Sequence, residues 1–136
     1  MRAYGAGVST DCRAGDLLVL IGPLGAGKTT FTQGLAEGLD VVGAVTSPTF
    51  IIAREHASAS GGPALIHVDA YRLGGIDELD DLDLDASLAD AVTVVEWGEG
   101  MVEHLDAAVI RVQIDRPESD SSDTRQVTVV WPEGRP

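Results

Sequence analysis

The sequence has little of what marks secreted or membrane proteins. Its one cysteine, Cys12, cannot form a disulfide within the chain, so the cysteine content does not indicate an oxidising compartment. No apolar run approaches the roughly 18 residues that a membrane-spanning helix needs. Residues 1–12 also lack the apolar segment of a secretory signal. We therefore expect a cytoplasmic protein, and the length of 136 residues favours a single domain over residues 1–136.

Positive charge is scarce as well. Nine Lys and Arg residues stand against 22 Asp and Glu residues, which gives a formal net charge of -13. The arginines are scattered along the chain, so the sequence shows no basic patch that would attract a phosphate backbone. We expect no direct DNA binding and at most indirect contact with tRNA. The acids concentrate in residues 77–90, which form either a solvated helix face or a docking surface for a basic partner.

The only lysine, Lys28, lies in the glycine-rich stretch LVLIGPLGAGKTT. Gly22, Gly27, Lys28 and Thr29 match the P-loop pattern G-x-x-x-x-G-K-[ST], with a predicted strand before it and a predicted helix after it. In such a loop, backbone N–H groups and a helix N-terminus surround the phosphates. The lysine reaches the β- and γ-phosphates, and the threonine hydroxyl ligates Mg²⁺. A compact ammonium fits between phosphate oxygens where a planar guanidinium would clash.

A glycine turn that arose by chance is the alternative, but the complete pattern in its strand–turn–helix context favours nucleotide binding. The predicted nucleotide-binding residues of the loop are Gly22, Leu24, Gly25, Ala26, Gly27, Lys28, Thr29 and Thr30. P-loop GTPases recognise guanine through an N-K-x-D segment. Because the only lysine is already in the loop, we expect ATP rather than GTP.

Apolar periodicity predicts the secondary structure. A helix is expected at Lys28–Leu39, although Gly34 and Gly38 weaken it. A further short helix is expected within residues 77–91. Strands are expected at residues 16–22, 49–56, 64–71, 91–97, 108–115 and 125–131. Strands that alternate with helical stretches predict an α/β fold with a mostly parallel sheet flanked by helices, and the last two strands are expected to form an antiparallel pair at an edge.

Two acids follow apolar strand segments and are candidates for the metal site of a P-loop protein. Asp69 ends LIHVD, and Glu96 ends VTVVE. A parallel sheet would bring both residues to its C-terminal edge, where the loop also lies. Either acid could instead be an ordinary carboxylate at a strand end. The histidines His56, His67 and His104 form no zinc-binding pattern.

Four segments occur together in the order and spacing of one family: GPLGAGKTTFTQG, TSPTF, HVDAYRL and VEWGE. Through them the sequence resembles the TsaE (YjeE) family from about Gly15 to Val130. The resemblance implies a P-loop NTPase-like fold and slow hydrolysis of ATP in the presence of Mg²⁺. It also implies docking on the TsaB–TsaD heterodimer, which transfers a threonylcarbamoyl group to the tRNA adenosine beside the anticodon (t6A). Hydrolysis would reset that complex between turnovers.

The resemblance also implies residue roles. Lys28 would bind phosphate, Thr29 and Glu96 would ligate Mg²⁺, and Asp69 would orient a metal-bound water or act as a base. The segment Thr46–Thr49 resembles a switch loop, which Pro48 stiffens. Further nucleotide-binding positions implied by the family motifs are Thr46, Ser47, Thr49, Trp97 and Glu99. Relatives have a longer N-terminal strand and helix, so we expect a shortened N-terminal element in residues 1–14.

Two other functions remain open on the sequence. One is a small-molecule P-loop kinase, and the other is a nucleotide-dependent scaffold with negligible turnover. Such kinases generally bring an arginine-bearing lid over the donor phosphates, whereas residues 74–91 contain seven acids and no cation. Arg72 either pairs with these acids at the surface or stabilises charge in the transition state.

Overall fold

The fold follows from a computed structural model, which describes residues 1–23, 27–43, 53–69, 90–96, 108–115, 125–132 and 134. These residues form two helices and six strands. The helices are α1 (Arg2–Ser9) and α2 (Lys28–Leu39). The strands are β1 (Asp16–Ile21), β2 (Ala53–His56), β3 (Ala64–Asp69), β4 (Ala91–Glu96), β5 (Ala108–Asp115) and β6 (Gln126–Val130).

The six strands form one sheet in the order β2-β3-β4-β1-β5-β6. The four central strands are parallel, and β1 pairs with β4 on one side and with β5 on the other. Both edge strands run antiparallel to their neighbours, β2 to β3 and β6 to β5. The predicted α/β fold, the mostly parallel sheet and the antiparallel C-terminal pair are therefore confirmed. The sequence analysis did not predict the antiparallel direction of β2.

Both faces of β1 and β4, the two innermost strands, are buried. Leu17, Leu18 and Val19 follow one another in β1 and none is exposed to solvent, and all six residues of β4 are buried. Parallel strands that are covered on both faces require such continuous apolar runs. Each Leu or Val side chain buried in this way contributes about 1.5–3 kcal/mol to folding. On the face toward the helices, the core contains Leu18, Leu20, Phe31, Leu35, Leu65, Val92, Val94, Ile110 and Val112.

The predicted elements agree closely with the structure where it describes them. The helix Lys28–Leu39 and the strand Ala108–Asp115 have the predicted bounds, and β1 ends one residue earlier than predicted. Parts of the predicted strands 49–56, 64–71 and 91–97, the helix within 77–91, and Arg72 lie outside the described residues. Within the described ranges, neither helix is long and apolar enough to cross a membrane.

No helix was predicted for the residues that form α1, where Gly5 and Gly7 have weak intrinsic helix propensity. Packing against α2 explains the helix. A Cβ atom at Gly5 would overlap the carbonyl oxygen of Phe31, and a Cβ at Gly34 would overlap the carbonyl oxygen of Arg2. A Cβ at Gly38 would overlap the hydroxyl of Ser9. The glycines that weaken each helix in isolation therefore permit close contact between the two helix backbones.

This close contact predicts opposite effects for the same substitution at two glycines. Helix propensity alone favours alanine over glycine by about 1 kcal/mol. At Gly34 the added methyl group meets the α1 backbone, so we expect Gly34→Ala to lower the free energy of unfolding by about 1–3 kcal/mol in urea titrations.

Gly7→Ala is the matched control, because no described residue outside the adjoining backbone of α1 has an atom within 4 Å of the position that its Cβ would take. We expect this variant to be more stable than the wild type by up to about 1 kcal/mol. Stabilisation by both substitutions would contradict the close packing of α1 on α2.

Candidate functional site

Three strands of the parallel sheet bring the predicted site residues to one edge. In the register of β1 and β4, Leu20 lies opposite Glu96, and Gly22 follows Leu20 by two residues. In the register of β3 and β4, Asp69 lies opposite Glu96. The expectation that both acids end strands at the C-terminal edge, beside the glycine turn, is therefore confirmed. The role of each acid remains a prediction.

The end of the glycine turn has a backbone conformation that favours glycine. Gly27 is the N-cap of α2 and has φ 107° and ψ 22°, in the left-handed region where a Cβ atom would be strained. Its carbonyl oxygen accepts the first helical hydrogen bond, from the amide of Phe31 at 2.9 Å. Glycine offers no side chain to cap the helix, and the first turn of α2 contains no acidic residue. The positive end of α2 is therefore suited to an external anion.

Lys28 begins α2 and turns its side chain back into the loop. Only 6% of the residue is exposed, and Nζ donates a hydrogen bond to the carbonyl oxygen of Gly22 at 2.6 Å. The carbonyl oxygen of Pro23 lies 3.4 Å from the same nitrogen. These hydrogen bonds join the start of the helix to the end of β1. Because phosphate oxygens are charged, they bind an ammonium more strongly than these neutral carbonyls and can replace them.

The threonines at the start of α2 differ in their surroundings. Thr29 is half-buried and Thr30 is exposed. Thr32 is fully buried, and its hydroxyl donates to the carbonyl oxygen of Lys28 at 2.9 Å. This local bond occupies the Thr32 hydroxyl within the helix. The predicted roles of Thr29 in metal binding and of Thr30 in nucleotide binding are not tested by these observations.

Glu96 forms a buried pair that the sequence analysis missed. Its Oε2 atom lies 2.5 Å from Nε2 of His67, and the side chains of Glu96 and His67 are 7% and 0% exposed. His67 pairs with Val94 in the β3–β4 register, so it lies diagonally behind Glu96 on the same sheet face. Val94 belongs to the core cluster beneath α2, so this is the face that α2 covers. From the sequence, His67 was interpreted only with regard to zinc binding. The available signal was that His67 precedes the strand-end acid Asp69 by two residues, which places both side chains on one sheet face at the edge where Glu96 also ends a strand.

Several predicted positions lie outside the described part of the chain. They are Leu24, Gly25, Ala26, Thr46, Ser47, Thr49, Trp97 and Glu99. Within the described ranges, no three His, Cys, Asp or Glu residues form a group that could hold a metal ion. A cation here would need a mixed set of oxygen ligands. The Thr29 hydroxyl and the Glu96 carboxylate are of the type that Mg²⁺ prefers.

Comparison with known proteins gives a consistent result. The family model described as "Threonylcarbamoyl adenosine biosynthesis protein TsaE" matches residues 1–127. A relative from Streptomyces coelicolor, named tRNA threonylcarbamoyladenosine biosynthesis protein TsaE, is 61% identical over 131 residues, which cover 95% of this chain and 88% of the relative. A Mycobacterium tuberculosis relative of the same name is 50% identical over 125 residues, which cover 87% and 73% of the two chains.

The fold comparison agrees with the sequence comparison. The crystal structure of Bacillus subtilis YdiB is similar to this chain with a TM-score of 0.71 and 32% sequence identity. The similar region covers 96% of this chain and 78% of the YdiB chain. YdiB thus shares the fold over nearly the whole of the chain. With a family match over residues 1–127 and identities of up to 61% among these relatives, the chain belongs to the TsaE family of threonylcarbamoyladenosine biosynthesis proteins.

Proposed function

We propose that this protein is an ATPase that binds ATP and Mg²⁺ at the glycine turn and serves the t6A modification of tRNA. It hydrolyses ATP slowly and acts on the TsaB–TsaD complex, which allows that complex repeated turnovers. The observation that supports this proposal most directly is the buried ammonium of Lys28, which begins α2 and donates to the carbonyl oxygen of Gly22, the residue after β1. The TsaE family match supports the role in t6A synthesis.

Charge explains why the nucleotide would bind at this turn. The chain has a net charge of -13, so most of its surface repels a triphosphate. The ammonium of Lys28, the backbone amides of the turn and the N-terminus of α2 concentrate positive potential in one place. The lysine would exchange its hydrogen bonds to the loop carbonyls for bonds to phosphate oxygens. ATP is preferred to GTP in this proposal because the chain has no second lysine for guanine recognition.

The acids at the same edge would serve the metal and the water. A carboxylate beside a triphosphate is repulsive unless a cation lies between them, which gives Glu96 a role in holding Mg²⁺ together with the hydroxyl of Thr29. When bound, Mg²⁺ neutralises charge on the phosphates. Asp69 would orient the attacking water or accept its proton. Residues Thr46–Thr49 would act as the switch loop, with Trp97 and Glu99 beside the nucleotide.

The proposed partners are TsaB and TsaD, in the cytoplasm. The acidic chain would contact tRNA only through them, because a net charge of -13 opposes direct binding to a phosphate backbone. A kinase would need a phosphoryl acceptor other than water, whereas an ATPase transfers the γ-phosphoryl group to water and releases phosphate. A scaffold with negligible turnover would bind ATP and release no phosphate. Phosphate release by the purified chain with ATP and Mg²⁺ alone therefore separates the proposed activity from both alternatives.

Removal of the ammonium should weaken nucleotide binding strongly. We expect Lys28→Ala to lower ATP affinity by about 100-fold in isothermal titration calorimetry, because several charge-assisted hydrogen bonds to phosphate are lost. Arg2→Ala is the matched control, since it removes a cation that is 57% exposed and paired with Glu37 on the helices. ATP affinity that Lys28→Ala leaves unchanged would contradict the proposed binding site.

Removal of the Glu96 charge should affect turnover more than binding. Glu96→Gln keeps the side-chain shape and an oxygen acceptor for His67, and we expect kcat for Mg²⁺-dependent ATP hydrolysis to fall about 100-fold. ATP affinity measured in EDTA should change little. The matched control is Glu37→Gln, at an acid of α2 that is 54% exposed. Equal hydrolysis by Glu96→Gln and wild type would remove Glu96 from the metal site.

The test of the biological role is t6A formation by TsaB and TsaD in the presence and absence of this chain and ATP. We expect repeated turnovers only when both are added, and none beyond the first with Lys28→Ala. In gel-shift assays at physiological salt, the isolated chain should not retain tRNA. The same t6A yield without the chain would contradict the proposed role, and tight tRNA binding would contradict indirect contact.

A further inference from the structure

The pair between His67 and Glu96 brings together two polar side chains that folding would normally keep in water. Both side chains are more than nine-tenths buried, and the Nε2–Oε2 distance is 2.5 Å. The other ring nitrogen of His67, Nδ1, is also buried and has no hydrogen-bond partner among the described residues. A buried nitrogen without a partner lowers stability. The contribution of His67 to folding is therefore a weak explanation for its presence.

His56, the second buried histidine in the described ranges, allows a comparison with His67. His56 in β2 is 6% exposed, and its Nδ1 atom lies 3.3 Å from the carbonyl oxygen of Val42. Its Nε2 atom is likewise buried and has no hydrogen-bond partner in the described part of the chain. The two histidines thus have similar burial and the same number of unpaired nitrogens. They differ in what they contact. His56, in the edge strand β2, contacts the backbone carbonyl of Val42, whereas His67 contacts the carboxylate of Glu96 at the candidate site.

The strand register explains how His67 reaches Glu96. Asp69 lies opposite Glu96 and His67 lies opposite Val94, so the imidazole stands one pleat behind the carboxylate on the face that α2 covers. From this position the ring tip meets Oε2 diagonally. The packed core on that face holds the ring in place. The hydrogen bond therefore limits the rotation of the Glu96 side chain at the C-terminal edge of the sheet.

We propose that His67 is the positioning residue of Glu96. Its Nε2–H group donates to Oε2 and holds the carboxylate in one orientation, with the second oxygen directed to the cation of the nucleotide site. This inference rests on the proposed binding of ATP and Mg²⁺. Replacing a residue that orients a ligating carboxylate in this way commonly lowers metal affinity by about 10- to 100-fold.

Two amide substitutions isolate the Nε2 atom. The side-chain nitrogen of glutamine reaches about as far as Nε2 of histidine, whereas that of asparagine reaches only as far as Nδ1. We therefore expect His67→Asn to weaken Mn²⁺ binding to the ADP complex by about tenfold, measured by electron paramagnetic resonance, and His67→Gln to retain most of the affinity. ADP affinity in EDTA, measured by calorimetry, should change little in either variant.

His56→Asn is the control for the loss of a buried imidazole, and we expect it to leave Mn²⁺ affinity unchanged. Wild-type Mn²⁺ affinity in His67→Asn would overturn the positioning role.

Equal losses of Mn²⁺ affinity in His67→Asn and His67→Gln, accompanied by a similar loss of ADP affinity in EDTA, would also overturn it, because that result indicates general damage to the fold. A weakened Mn²⁺ affinity in Glu96→Gln together with an unaffected His67→Asn would reject this inference and retain the proposed metal site. Unchanged Mn²⁺ affinity in both Glu96→Gln and His67→Asn would reject the positioning role of His67 and the metal-binding role of Glu96.

A spectroscopic measurement on the wild type does not depend on whether the variants fold. In a long-range ¹H–¹⁵N spectrum of the chain labelled at histidine, we expect the His67 proton on Nε2. Addition of Mg²⁺ to the ADP complex should shift the Nε2 resonance of His67 and leave that of His56 in place. A proton on Nδ1 with none on Nε2, or an Nε2 resonance that Mg²⁺ does not change, would overturn the inference.

Discussion

The parallel pairing of β1 with β4 determines where the candidate site lies. β1 is buried on both faces and hydrogen-bonded on both sides, so its end has a well-defined position in the sheet. Since Leu20 lies opposite Glu96, the chain enters the glycine turn beside the last residue of β4. Parallel strands end at the same edge of a sheet, and loops at that edge can therefore combine groups from distant parts of a chain. Shifting the register by one residue would turn Glu96 to the opposite face.

Three buried side chains that can carry charge lie at this edge. Lys28, His67 and Glu96 are each at most 6% exposed, although such side chains are costly to bury. Lys28 is held by loop carbonyls, and Glu96 is held by His67. A chain that is acidic overall thus keeps its only lysine in a confined place, where the N-terminus of α2 adds to its positive potential. The local positions of Lys28 and the N-terminus of α2, and not the net charge of the chain, make this edge suitable for an anion.

The helices connect this edge to the rest of the core. α2 begins at the glycine turn, and its apolar side chains Phe31 and Leu35 pack on the sheet. Along its length, Gly34 and Gly38 allow the backbone and side chains of α1 to approach closely. The position of Lys28 therefore depends on packing at the other end of the same helix. A binding group on a helix held in this way is kept in a more definite geometry than one on a free loop.

Most of the fold and the centre of the site could be predicted from local sequence patterns. The helix Lys28–Leu39 and the strand Ala108–Asp115 were predicted to the residue, and the glycine turn was identified between its strand and helix. The TsaE resemblance, stated from four short motifs, is confirmed by the family match. These features depend on periodicity and turn chemistry within a few residues, which a single sequence contains in full.

Tertiary structure alone decided the formation of α1, the direction of β2 and the contact between His67 and Glu96. α1 is stabilised by its packing on α2, although its glycines disfavour a helix in isolation. The two members of the buried pair are 29 residues apart, and their contact depends on the register of β3 against β4. The sequence therefore determined which groups are available and which segments fold locally. The contacts among them were decided by packing and strand register, because both depend on residues that are distant along the chain.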